Sequence, residues 1–251
     1  VSTDACGTGE TCNHTTGECE SGPQTLTFQQ GDANGYGGTA DTYIGSGLAS
    51  QAGTNPLVID LDPIVEQALI RFDGIFGSGA NQIPAGSTIQ SATLTFRVGG
   101  TTNDESPNPV SFHRLLHPWA DTDLWAAYGA TPWNTQAGVQ ADGVDALATA
   151  DATTTMGALN TSYPVDVTGT VQAWSAAPSS NYGWVILMTT GTDGLRVQSA
   201  ESGTVSYRPR LSVTYTPPGP QCEMTSALAS ATAAPGGAVD LDVLGIRALS
   251  P

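Results

Sequence analysis

The chain has 251 residues, enough for one large buried core, yet only 12% of them are charged. Typical soluble domains carry roughly 25%; here Gly, Thr, Ser and Ala fill the gap, as in β-rich extracellular proteins whose many turns need Gly and whose strands take Thr. Twenty-three acids against seven bases, all of them Arg, give a net charge of −16, a surface that repels phosphate backbones and anionic headgroups and excludes nucleic acid and membrane surfaces as natural partners.

Residues 1–23 hold Cys6, Cys12 and Cys19 in ACGTGETCNHTTGECES, a Gly- and Thr-rich knot with almost no apolar side chains. Such a segment cannot bury a core, so cross-links must order it. Zinc prefers C-x2-C pairs, whereas five and six residues separate these cysteines. With Cys222, two disulfides form, and three pairings are open. Small C-x5-C-x6-C knots usually close in a way that favours Cys6–Cys19, with Cys12–Cys222 tying the knot to the far end. Disulfides imply an oxidising compartment and a secreted protein.

Alternation of apolar and polar residues then marks a succession of strands. The first covers 24–30, with Leu26 and Phe28 assigned to opposite faces, and 31–40 is rich in turns. Strands follow at 41–44, 57–61 and 68–73. In the last of these Ala68, Ile70 and Phe72 share one face, while Leu69, Arg71 and Asp73 share the other. Residues 92–98 alternate most cleanly, Ala92, Leu94, Phe96 and Val98 facing inward, and 110–116 is a further strand. Residues 118–134 hold three Trp and many acids with little strand pattern, and 136–156 is small and polar, so both read as long loops. The sheet resumes at 163–166, and 168–174 has helical spacing with Asp166 or Thr168 as its cap. Strands at 184–190, 194–199 and 211–215 complete an all-β, jelly-roll-like antiparallel β-sandwich over 24–216.

Pro217, Pro218 and Pro220 cannot join a ladder, and 217–237 reads as a Pro/Ala/Ser/Thr-rich linker. The tail, 238–251, begins with alternating Val239, Leu241 and Val243, a strand that could pair with the sandwich edge or with an identical subunit.

Ordered blocks carry a family resemblance: Asp41-Thr-Tyr-Ile, residues 68–73, Pro84-Ala-Gly-Ser-Thr-Ile-Gln-Ser-Ala-Thr-Leu, Trp119 and Trp133, Asp166-Val-Thr with Val171-Gln-Ala-Trp174, Gly183-Trp184, and Arg208-Pro209-Arg210-Leu. Their order and spacing over roughly 24–216 resemble a DNRLRE domain. The resemblance implies a non-catalytic β-sandwich module of a secreted protein, of a kind partly grouped with carbohydrate-binding modules and described in some members as binding acidic polysaccharide. At the eponymous block this sequence reads Asp193-Gly-Leu-Arg196, then Glu201, a departure from the plain motif. A polyanionic glycan needs basic groups to meet it, and a chain without Lys at net −16 would take one only through bridging Ca²⁺.

The residues suggest three kinds of chemistry. For catalysis, His14, His113 and His117 lack a Gly-x-Ser-x-Gly elbow, and Asp121/Asp123 and Asp60/Asp62 lie in acidic runs without contrasting environments, so no enzyme is expected. For Ca²⁺, Asp32, Asn34 and Asp41 could share a loop-bound ion, against an Asx-turn at Asn34-Gly35. For sugar, flat rings pack on pyranose C–H faces. Trp174 and Trp184 belong to the core and Trp119 and Trp133 pin the loop, which leaves Trp125, with Tyr128, Asp121 and Asp123, as the exposed ligand site. Two functions result: a polysaccharide-binding module with structural Ca²⁺, or a fibre, sheath or surface-layer subunit assembling through the C-terminal strand.

Overall fold

The computed structural model describes residues 6, 7, 10–13, 17–134 and 136–219. Near the N-terminus β1 (Thr11–Asn13) and β2 (Glu18–Glu20) form a hairpin closed by the Cys6–Cys19 disulfide. Cys12 is also disulfide-bonded. Cys222, and the tail with Val239, Leu241 and Val243, lie outside the described residues.

The strands that follow are β3 (Gln24–Gln29), β4 (Thr39–Gly45), β5 (Leu57–Ile59), β6 (Glu66–Phe72), β7 (Thr88–Arg97), β8 (Ser106–Arg114), β9 (Ala127–Tyr128), β10 (Thr131–Pro132), β11 (Ala152–Met156) and β12 (Ser162–Asp166). Helix α1 (Thr168–Ala176) comes next, then β13 (Trp184–Met188), β14 (Leu195–Val197) and β15 (Arg210–Thr216). A five-stranded sheet in the order β11-β8-β13-β6-β4 faces a four-stranded sheet in the order β12-β7-β15-β3, and all pairings are antiparallel. The expected sandwich is the fold.

Period-two alternation builds the layer between the sheets. Ala92, Leu94 and Phe96 of β7 meet Ala68, Ile70 and Phe72 of β6 and Phe112 of β8 in one buried cluster. Trp174 of α1 packs on Trp184 of β13 with ring centroids 4.5 Å apart. Each such fully buried side chain contributes roughly 1.5–3 kcal/mol. Helix α1 also completes β7: the Ile89 N–H donates to Gln172 Oε1 and the Ala92 N–H to Thr168 Oγ1.

Four details differ from the sequence reading. Leu26 and Phe28 share a face, since residues two apart must, and both pack on the central core. Residues 152–156, read as loop, form β11, because Ala and Thr suffice for an edge strand that needs only one buried face. The 118–134 segment, read as loop, contains the two-residue strand pair β9 and β10. The N-cap of α1 is Val167, whose side chain caps nothing; Asp166 Oδ1 instead accepts from the Thr168 N–H and hydroxyl. Those bonds hold the Asp166 carboxyl below the usual carboxylate range.

The two outer faces are unlike. Over the five-stranded sheet lies a second apolar cluster, in which Ile44, Leu69, Val185 and Leu187 meet Leu115, Trp119, Trp133, Val139 and Ala146 of the long loop. Over the outer face of the four-stranded sheet the described residues form no such apolar cluster. There Thr25 and Thr27, Ser212 and Thr214, and Ser91 and Thr93 stand in cross-strand register, with the Thr25 and Thr214 hydroxyls bonded at 2.9 Å.

Candidate functional site

Two regions carry aromatic and charged side chains at the surface. The first is the long loop, which the sequence marked. Trp119 and Trp133 are buried, and their indole N–H groups donate to the carbonyls of Tyr182 and Leu124. Tyr128 stacks on His117 at 3.9 Å and lies 4.8 Å from the Trp133 ring. Trp125 is half-buried against Gly138, where φ is +83° and an added Cβ would come within 2.5 Å of the indole.

Two acids of the loop segments face inward. Asp123 is buried and accepts from the Ala120 and Gly129 N–H groups. Asp145, 1% exposed, accepts from the Asn134 and Gln140 N–H groups and stands 3.3 Å from His117 Nε2. Asp121 stays exposed. Of the predicted quartet Trp125, Tyr128, Asp121 and Asp123, the structure thus gathers Tyr128 and Asp123 along a shallow cleft of about 240 Å³ with Pro118 and Trp119. Both carboxylate oxygens of Asp123 are engaged by loop amides.

The three predicted cation ligands make different bonds. Asp32 Oδ1 accepts from the Asn34 and Tyr36 N–H groups, the Asx-turn geometry. Asp41 lies within β4, 3% exposed, and its Oδ2 accepts from the Ala200 N–H. The charges that act on it are those of Glu201 and Asp121, and Asp32 is not among them. Among the described residues no group of three or more His, Cys, Asp or Glu side chains is placed to hold a metal ion. A cavity of about 300 Å³ lies beside the Asx-turn, lined by Leu26, Phe28 and Tyr36 among others. The Tyr36 hydroxyl there is committed to the Asp73 carbonyl.

The eponymous block does structural duty. Arg196 stands in β14 opposite Val58 of β5, and its Nη1 donates to the Asn103 carbonyl. Glu201 is the neighbour of buried Asp41.

The second region was not read from the sequence. At one end of the bare four-stranded face, Arg210 stands opposite Thr95 of β7 and Gln29 of β3, and Arg97 follows Thr95 two residues on, on the same face. A 3-10 turn, Val205–Tyr207, then brings Tyr207 beneath Arg97, whose guanidinium lies 4.2 Å from the ring centroid. Arg208 completes the corner. Its Nε donates to the Ser202 carbonyl and its Nη1 to the Gln30 carbonyl. Gly31, at φ +71°, leaves room for it, since a Cβ there would come within 2.8 Å of Arg208 Nη1. These residues, with Ser162 and Ser206, line a cavity of about 170 Å³.

Three of the chain's seven arginines thus converge on one small polar pocket. Arg71 and Arg114 pair with Asp73 and Asp151, but among the described residues Arg97, Arg208 and Arg210 have no carboxylate partner. A cluster of unpaired guanidiniums beside a Tyr that is 39% exposed suits a flat ring bearing an anionic group. A family model for carbohydrate-binding module family 96 matches residues 35–215. The chain belongs to carbohydrate-binding module family 96. A search among curated proteins finds no match. The matched span holds both the long loop and the arginine corner. The family and the disulfide fit an extracellular protein. No helix among the described residues is long and apolar enough to cross a membrane.

Proposed function

We propose that the chain is a secreted, non-catalytic module that binds an extracellular polysaccharide bearing carboxylate or sulfate groups, seated on Arg97, Arg208 and Arg210 against Tyr207. The observation that carries the reading is the convergence of three arginines without carboxylate partners in a chain of net charge −16. Acids are plentiful, yet these three converge without one: Arg208 is fixed by backbone carbonyls, Arg97 by Tyr207 and Asn160, and the Arg210 guanidinium is left for ligand. The bare Thr- and Ser-faced sheet beyond the corner extends the footprint to further sugar units, whose hydroxyls exchange donors and acceptors with it.

The overall charge opposes a polyanion at long range, but screening at physiological salt acts over about 8 Å. Bidentate contacts at the corner work inside that distance. Each hydrogen bond to a charged group contributes roughly 1.5–3 kcal/mol, which offsets the distant repulsion without Ca²⁺ as a bridge. The non-catalytic reading is supported by the fate of His113. Its ring contacts Ser111 Oγ at 3.0 Å, which looks like the start of a catalytic pair. Its other nitrogen meets the Leu147 carbonyl, where a triad has a carboxylate, and the ring is buried.

The test is a pull-down of the purified protein on immobilised uronate-containing, sulfated and neutral polysaccharides. Saturable binding to the acidic classes, unchanged by chelator, is expected; retention on neutral glycans alone would overturn the assignment.

A further inference from the structure

Behind the arginine corner lies a pair of carboxyl groups that the binding surface itself does not use. Asp41 belongs to β4, the edge of the five-stranded sheet, and is 3% exposed. Opposite it in register stands Ile70, and the neighbouring β5 presents Leu57, Val58 and Ile59. One carboxyl oxygen, Oδ2, accepts from the Ala200 N–H at 2.8 Å. The other, Oδ1, is buried and meets no N–H or O–H donor. Next to Ala200 in the chain is Glu201, an exposed residue whose carboxyl acts on Asp41 both as a charge and as a hydrogen-bond partner. Two carboxylates in that position repel, whereas one proton between them turns the contact into a hydrogen bond. Burial, first, and then Glu201 and the more distant Asp121 push Asp41 well above the usual carboxylate range, and no cation is among the groups acting on it.

The segment fastened by this pair leads directly to the corner. Ser199 is held from its other side by Asn55 Oδ1, which accepts from its N–H. Ser202 supplies the carbonyl that takes Arg208 Nε, and Gln29 Nε2 donates to the Arg208 carbonyl. Residues 199–202 therefore set where Arg208 stands, and the 3-10 turn bearing Tyr207 lies between them in the chain.

We propose that Asp41 and Glu201 form a hydrogen-bonded carboxyl pair that fastens the 199–202 turn and thereby positions Arg208 and Tyr207 for ligand; the ligand part rests on the function proposed above. Asp41 touches no sugar and is a positioning residue. When the shared proton leaves, two facing charges push the turn away from β4, and the corner loosens. Protonation thus couples the sandwich edge to the binding surface, with the tighter arrangement at lower pH.

The test follows amide hydrogen exchange over residues 199–208, corrected for the intrinsic pH dependence, from about pH 5 to about pH 9. The wild-type protein, Asp41→Asn and Glu201→Gln are compared without ligand. In the wild type, protection should fall about ten-fold or more as pH rises, because the raised Asp41 carboxyl loses its proton over that range. Either amide variant supplies a donor that cannot be titrated away, so both should hold protection constant. Flat protection in the wild type, or an unaltered slope in both variants, would overturn the pair. A rise in protection on adding Ca²⁺ at neutral pH, without a pH slope, would also overturn it, in favour of a cation between the carboxylates. Binding of an acidic polysaccharide is read in parallel and should weaken with pH in step with protection. If exchange behaves as expected while no acidic glycan binds, the pair stands and only the ligand assignment falls.

Discussion

The long loop over the five-stranded sheet and the corner at the end of the four-stranded sheet are made of the same kinds of side chain. Each has aromatic rings beside charged groups, yet the groups are engaged differently. In the loop the rings stack on one another, the indole N–H groups of Trp119 and Trp133 are bonded to carbonyls, and Asp123 and Asp145 tie down backbone amides. In the corner the Arg210 guanidinium makes no hydrogen bond or ion pair to the described residues, Tyr207 is exposed, and no described carboxylate pairs with the guanidiniums. Aromatic and acidic content alone does not mark a binding surface. What marks it is polar capacity left unused by the fold.

The largest effect that would sharpen this contrast is on stability. Asp145→Ala strands the Asn134 and Gln140 amides inside the loop, and should lower unfolding free energy by about 3 kcal/mol while sparing glycan binding under folded conditions. Denaturant unfolding read beside a binding isotherm checks both halves. Next comes Arg210→Ala, which should cost about 1.5–3 kcal/mol of binding and leave stability within about 0.5 kcal/mol, because nothing in the fold depends on that side chain. Tyr207→Ala should weaken binding by about 1 kcal/mol, since it removes both a sugar platform and the ring that steadies Arg97. The smallest effect is expected of Trp125→Ala. It loses packing on Gly138, and binding should change by less than about two-fold.

The pH dependence has a definite sign. Asp41 is raised in the folded state, first by burial and then by Glu201. Its contribution to stability is therefore fully present below the ordinary aspartate range and is lost as pH rises through the raised value. Thermal unfolding midpoints should decline over that window in the wild-type protein and decline less in Asp41→Asn.

The sandwich could be read from the chain because its strands alternate strictly where one face meets the core. Ala92, Leu94 and Phe96 announce β7, and Ala68, Ile70 and Phe72 announce β6. The covered outer face was also written there, in Trp184–Met188, five consecutive buried residues that only a strand with both faces covered requires. β11 was missed because Thr and Ala at an edge give no contrast between faces. The arginine corner was illegible for another reason. Arg97 and Arg210 lie on strands far apart in sequence, and only the β15–β7 register makes them neighbours. Asp41, a candidate cation ligand together with Asp32 and Asn34, accepts from the Ala200 N–H, a bond that depends on how the chain after β14 closes the sandwich edge.

The central claim is that ligand rests on the arginine corner and not on the aromatic loop. It is tested most directly by measuring the binding of Arg210→Ala and Trp125→Ala side by side on an acidic polysaccharide. Loss of roughly ten-fold or more in affinity for Arg210→Ala, with Trp125→Ala close to wild type, is the predicted result. The reverse pattern, Trp125→Ala failing and Arg210→Ala binding normally, would contradict it and return the site to the loop.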